Sequence, residues 1–136
     1  MTISKFIHLN LRTSFSLLEG ALPINNLVKL AVKNNMPALA ITDSNNLFGA
    51  LEFSETCIEN GIQPIIGISI NLVSDKSDLQ KIQKFSKIIL IAQNDEGYNN
   101  LLKLSSLSYV LNTDLDRPYI TLKQLTEHNN SLILLT

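Results

Sequence analysis

Ala40-Ile41-Thr42-Asp43-Ser44-Asn45-Asn46-Leu47-Phe48-Gly49-Ala50 joins an apolar run to a segment of helical period through a short polar turn. The run behind it, Ala38–Thr42, is too apolar for a strand with one wet face, so it predicts a strand buried on both faces. The segment ahead, Leu47–Glu59, predicts a helix that Asn60-Gly61 terminates. A doubly buried strand that feeds a helix is the repeating unit of a parallel α/β sheet.

Upstream of this unit, Phe6–Leu11 predicts a first strand, and Asn25–Asn35 predicts a helix with Leu27, Leu30 and Ala31 on one face, stopped by Asn34-Asn35-Met36-Pro37. Downstream, Gln63–Val73 predicts a third strand interrupted by Gly67, and Lys87–Ala92 a fourth. The polar, lysine-rich stretch Ser74–Ser86 between them predicts an exposed excursion. Asp95–Tyr109 predicts a third strong helix and Asn112–Tyr119 a loop. Thr121 is expected to cap a short helix ending at Glu127, and Ser131–Leu135 to form a fifth strand. The expected fold class is therefore α/β with a mainly parallel sheet. A closed α/β barrel takes ~250 residues. Five strands in 136 residues, the last with no covering helix after it, predict the first part of a barrel that is cut short.

Composition narrows the function. With 45% hydrophobic residues the chain can bury one core, and a net charge of −1 gives it no bulk attraction to polyanions, so direct nucleic-acid binding is not expected. Cys57 is the single cysteine, which excludes an internal disulfide and a cysteine-rich zinc site and suits a reducing, cytoplasmic setting. No apolar run approaches the ~20 residues that cross a bilayer, so no membrane partner is expected.

Candidate site residues follow from strand geometry. Side chains alternate along a strand, so His8, Asn10 and Arg12 should share a face opposite Leu9 and Leu11. Asp43-Ser44 ends the second strand, Ser69 lies late in the third and Lys87 begins the fourth; α/β folds gather their sites at strand ends. Each residue also has a purely local reading. His8 can be a packed strand residue, Asp43 a turn residue that caps the next helix, and Glu19-Gly20 an ordinary loop pair. Cys57 reads as a small buried group, His128 as an exposed helix end, and the lysines from Lys76 to Lys87 as a solvated face interrupted by Asp75 and Asp78.

A family resemblance adds to this reading. The residues that carry it are Phe6–Gly20, Met36-Pro37-Ala38-Leu39-Ala40-Ile41-Thr42-Asp43, Asn46–Phe53, Gly61-Ile62-Gln63-Pro64-Ile65-Ile66-Gly67, Asn94–Ser106 and Pro118-Tyr119-Ile120-Thr121. In order and spacing these blocks resemble the polymerase and histidinol phosphatase (PHP) domain, in the version found at the N-terminus of bacterial DNA polymerase III alpha subunits. The resemblance implies a distorted PHP-type (β/α) barrel, of which residues 1–136 are the N-terminal portion, without polymerase palm, fingers or thumb. It implies a parent that copies DNA by nucleotidyl transfer with magnesium held outside this chain. The implied partners are the rest of the alpha subunit and the proofreading exonuclease subunit. Intact relatives bind a cluster of divalent metal ions through a His-x-His pair, a carboxylate, a Thr-Asp-His turn, a Glu and a further His. On that register the His-x-His positions are Asn10 and Arg12, the turn histidine is Ser44, the glutamate is Ser69 and the last histidine is Lys87. Only Glu19 and Asp43 remain as ligands, with His8 beside them.

The consequence is physical. Holding two or three divalent ions ~3.5–4 Å apart takes several imidazole and carboxylate donors. A guanidinium at a ligand position repels the cation and pairs with a carboxylate instead. No cofactor is therefore expected for this chain, and Arg12 is expected to pair with Asp43 or Glu19. The preferred expectation is a structural or docking module. A metal-dependent phosphoesterase or 3′-5′ exonuclease and an unrelated small α/β binding module are the alternatives.

Overall fold

The structure is a computed structural model that describes residues 6–74, 85–110 and 117–136. Residues 75–84 of the expected Ser74–Ser86 excursion, with all three of its lysines, and most of the expected Asn112–Tyr119 loop lie outside the described residues. The elements are α1 (Ile24–Lys33), β1 (Ala38–Ser44), α2 (Ala50–Glu59), β2 (Gln63–Val73), β3 (Ser86–Ala92), α3 (Asp95–Val110), β4 (Ile120–Thr121), α4 (Leu122–Glu127) and β5 (Leu132–Leu135).

Local chemistry accounts for these boundaries. In β1 every residue through Asp43 is buried, as an apolar strand covered on both faces requires. α1 buries Ile24, Leu27, Val28 and Ala31, the i, i+3, i+4, i+7 stripe of an amphipathic helix. It ends where Asn35 turns left-handed at φ 54° and the Met36 amide reaches back to the Ala31 carbonyl. α2 starts at Ala50, later than Leu47, because Leu47–Gly49 form a turn. Thr121 caps α4 through a reciprocal box with Gln124. No helix among the described residues is long and apolar enough to cross a membrane.

The sheet has the order β1-β2-β3-β5, with β4 pairing the far end of β2. β1 and β4 run parallel to β2, β3 runs antiparallel to β2, and β5 antiparallel to β3. Four strands thus share one direction, as expected, and β3 alone is reversed. A parallel neighbour needs a crossover back to the other end of the sheet, whereas β3 starts beside the end where β2 stops.

The segment expected as a first strand, Phe6–Leu11, is not a regular strand. It lies beside β1 and accepts hydrogen bonds at the His8 carbonyl from the Ala40 amide and at the Leu11 carbonyl from the Thr42 amide. Three steps on one chain face two on the other, so the segment carries an extra residue that breaks the ladder and shifts the side-chain phase.

Register sorts the side chains onto two faces. Leu39, Ile41 and Asp43 of β1 align with Pro64, Ile66 and Ile68 of β2, and Ile68 and Ile70 with Leu90 and Ile88 of β3. This face carries the helices. Ile24, Leu27, Val28, Leu39, Ile41, Phe53 and Cys57 form one core under α1 and α2. Ile68, Ile70, Ile88, Leu90, Leu101, Leu104, Ile120 and Leu125 form a second under α3 and α4, and Ile66 touches both. Thr42, Ser44, Ser69 and Lys87 project from the opposite face.

Candidate functional site

The reversed β3 gives Lys87 its position. Lys87 is the second residue of β3, and in a parallel strand it would stand at the end of the sheet remote from Ser44 and Ser69. Because β3 is antiparallel, Lys87 aligns with Asn71, two residues beyond Ser69, which itself aligns with Ser44. Three strands thus place a hydroxyl, a hydroxyl and an ammonium on one face at one end.

The turn between the first segment and α1 brings a carboxylate to them. Glu19 accepts a 2.5 Å hydrogen bond from the Ser44 hydroxyl, lies 3.1 Å from Arg12 Nε and 3.5 Å from Lys87 Nζ. Arg12 Nε is out of line for a hydrogen bond, so this contact is an ion pair, while Nη2 donates to the Ser69 hydroxyl at 3.2 Å. The Thr42 hydroxyl donates to the Asn10 side-chain oxygen at 2.9 Å. The Ser44 hydrogen bond is the largest cause holding the Glu19 carboxyl below the ordinary glutamate range; burial opposes it, and the positive charges of Arg12 and Lys87 add to the lowering. Arg12, Lys87 and Glu19 sum to one net positive charge, supplied by side chains.

Asp43 belongs to a different arrangement. One step along β1 turns it to the helix-bearing face, where it is 2% exposed. Its Oδ1 accepts from the Thr13 amide at 2.7 Å and the Ser16 hydroxyl at 2.6 Å, and its Oδ2 from the Thr13 hydroxyl at 2.7 Å. The Ser16 oxygen in turn accepts from the Ser44 amide at 3.0 Å. Asp43 therefore pins the turn that presents Glu19. It does not pair with Arg12, and it caps no helix; Asn46 takes the local role instead, accepting from the Phe48 amide.

Seven of the eight expected positions thus fall into two linked groups: Asn10, Arg12, Glu19, Ser44, Ser69 and Lys87 on one face, and Asp43 behind them. His8 stands apart. The extra residue in its segment takes it out of phase with Asn10 and Arg12, and it lies exposed with its ring edge-on to Phe6 at 4.7 Å. Thr13, Ser16 and Thr42 are fully or almost fully buried polar partners that the sequence reading did not single out. The signal was present in Thr13 and Ser16, two hydroxyls three residues apart at the start of a turn.

A metal cluster does not fit these residues. Both oxygens of Asp43 are engaged by donors of the chain, and Glu19 is engaged by a hydroxyl and two cations. Among the described residues no group of three or more His, Cys, Asp and Glu is placed to hold a metal ion.

Comparison with known proteins agrees on the frame. The family model for the PHP domain matches residues 8–136. The DNA polymerase III alpha subunit of Rickettsia conorii is 43% identical over 129 residues, covering 95% of this chain and 10% of that protein. That of Caulobacter vibrioides is 40% identical over 132 residues, covering 96% and 12%. That of Borreliella burgdorferi is 41% identical over 134 residues, again covering 96% and 12%. The chain spans about a tenth of the length of these relatives. Among solved structures, an amidohydrolase from Chromobacterium violaceum superposes with a TM-score of 0.54 at 17% identity, over 74% of this chain and 34% of that one. A Bifidobacterium adolescentis protein described as a metal-dependent phosphoesterase gives 0.54 at 19%, over 75% and 34%. At that identity they establish the fold alone.

Proposed function

The chain belongs to the PHP domain family, and from that premise we propose that it is a PHP module of a DNA polymerase III alpha subunit whose metal site has been refilled by side chains. Its role in this reading is architectural. It supports and docks other parts of a replicative polymerase, with the rest of the subunit as its first partner and the proofreading exonuclease subunit as a second. Nucleotidyl transfer belongs to the parent enzyme, outside this chain.

The observation that carries the reading is the Arg12–Glu19–Lys87 cluster. It occupies the positions where the family frame places metal ligands, and it satisfies its own carboxylate. A cation entering there would meet two positive charges of which Glu19 offsets one, and at 4 Å a like-charge contact costs about 4 kcal/mol per unit of ion charge at an effective dielectric of 20. Asp43, the other surviving carboxylate, is committed to Thr13 and Ser16.

Metal analysis tests this directly. The chain is dialysed against chelator, then incubated with zinc or manganese, dialysed again and analysed for bound metal, with thermal unfolding recorded at each stage. Substoichiometric metal and an unchanged midpoint are expected. Retention of two or more ions per chain, with phosphoester hydrolysis abolished by Asp43→Asn, would restore the phosphoesterase or exonuclease reading.

A further inference from the structure

We propose that the groove between α2 and α3 is a docking site for a cationic amphipathic helix of a partner protein. The groove has a volume of about 520 Å³. Its floor is Pro64 and Ile66 from the start of β2 and Ala92 from the end of β3, the ends remote from Ser69 and Lys87. Leu51 of α2 and Tyr98 of α3 form its walls. These two helices cover their own strands and leave the sheet between them partly open.

The exposed side of α2 is unlike an ordinary solvated helix face. Leu51 is 71% exposed and Ile58, seven residues on and on the same side, is 69% exposed. Two large aliphatic side chains one helical stripe apart offer apolar contact that nothing within the described residues uses. A helix laid along a groove presents anchors at i, i+3 or i+4 and i+7, which is the complementary spacing.

Charge selects the partner. No lysine or arginine occurs from residue 34 to residue 75, yet α2 carries Glu52, Glu55 and Glu59, and α3 opens with Asp95 and Glu96. Among the described residues, none of Glu52, Glu55, Glu59 or Asp95 is in an ion pair. Glu96 accepts a hydrogen bond from the Ser131 hydroxyl. The helix dipole explains acidic residues in a first turn, so Glu52, Asp95 and Glu96 have a local cause. Glu55 and Glu59 do not, and Glu59 stands in the last turn of α2, where the dipole opposes it and no basic residue offsets it. Asp95 lines the groove and the α2 glutamates lie on the exposed surface of that helix, so nucleic acid and anionic lipid are repelled from this side of the chain. A helix with an apolar stripe flanked by lysine or arginine satisfies both the aliphatic side chains and the carboxylates.

The proposal deepens the docking part of the reading above, and its assay involves no metal, so either can fail alone. The probes are three peptides of roughly 18 residues, about five turns: one with leucine at i, i+3, i+4 and i+7 and lysine elsewhere, one with glutamate replacing the lysines, and one with serine replacing the leucines. Binding is read by fluorescence anisotropy and by amide chemical shifts of the whole chain. The leucine–lysine peptide is expected to bind with shifts confined to α2, the start of α3 and residues 63–66. Leu51→Ser should weaken it about tenfold, the loss of one buried leucine anchor, and Glu55→Lys with Glu59→Lys should weaken it further as salt dependence falls. Both changes are at exposed positions, and circular dichroism checks the fold. Failure of the leucine–lysine peptide to bind, equal binding by the serine–lysine or leucine–glutamate peptide, or equal affinity for Leu51→Ser would each overturn the proposal.

Discussion

Asp43→Asn separates a tie between chain segments from a metal ligand, because the two roles respond differently to the same isosteric change. In the structure Asp43 Oδ1 accepts from the Thr13 amide and the Ser16 hydroxyl, and Oδ2 from the Thr13 hydroxyl, all within 2.7 Å. An asparagine oxygen can replace only one carboxylate oxygen. If it stands at the Oδ1 position, its amide faces the Thr13 hydroxyl, which already accepts from the Phe15 amide at 3.1 Å and must leave its own proton without an acceptor. A hydrogen bond to a charged group contributes roughly 1 kcal/mol more than one between neutral groups. Three such bonds become neutral or are lost, and Asp43 is 2% exposed, so water cannot compensate. The expected loss is about 3 kcal/mol. That is a large share of the ~5–15 kcal/mol that holds a typical domain. Urea unfolding followed by circular dichroism reads it, with an unchanged slope and a lower midpoint. The same loss should appear with and without chelator. A change under about 1 kcal/mol, or one present only when metal is supplied, would refute the argument that Asp43 serves the chain.

Three other outcomes follow from the geometry. Glu19→Gln should reduce stability at neutral pH by less than about 1 kcal/mol, because the side chain is 40% exposed and its ion pairs are screened. A carboxyl held below its ordinary range stabilises the fold above that range and ceases to as pH falls through its own lower value, so titrated unfolding should show the two proteins converging in acid. Gly97→Ala sets a helix-propensity gain of about 1 kcal/mol against overpacking of about 1–3 kcal/mol. A Cβ there would stand 2.2 Å from the Ser131 backbone oxygen, so a net loss is expected in thermal unfolding, and a gain would disprove the close approach of α3 to that turn. Cys57 is fully buried and its thiol is pushed up to about 11 by burial, so at pH 8 about one in a thousand is thiolate. Modification by a thiol reagent should therefore wait for unfolding; rapid labelling of the native chain contradicts the packing of α2.

Apolar patterning made α1, β1, β2 and α3 legible, since burial of those runs and stripes admits few arrangements, and the capping preference of threonine made the start of α4 legible. Two features were not legible, and both concern phase. The extra residue between His8 and Leu11 is set by pairing with β1, a long-range contact invisible in a stretch of alternating polar and apolar residues. Strict alternation therefore grouped His8 with Asn10 and Arg12. The direction of β3 was equally hidden, because an apolar run reads the same in either sense. The position of Lys87 depends on that direction alone.

The pleat also explains why the two carboxylates meet different fates. Ser44 and Asp43 are adjacent, so they must face opposite sides of β1, and the turn at residues 13–19 is gripped from both. On the helix side the grip is a buried carboxylate whose two oxygens accept three hydrogen bonds from Thr13 and Ser16. On the other side it is a half-exposed ion pair network whose members can rearrange in water. A turn held only by the second would loosen with salt and acid, whereas one held also by Asp43 stays in register when the outer network is weakened. High salt should therefore erase most of the effect of Glu19→Gln and leave that of Asp43→Asn nearly unchanged, since screening reaches exposed pairs and not buried hydrogen bonds. Equal salt sensitivity of the two variants, in the same urea titration, would show that the turn has a single point of attachment.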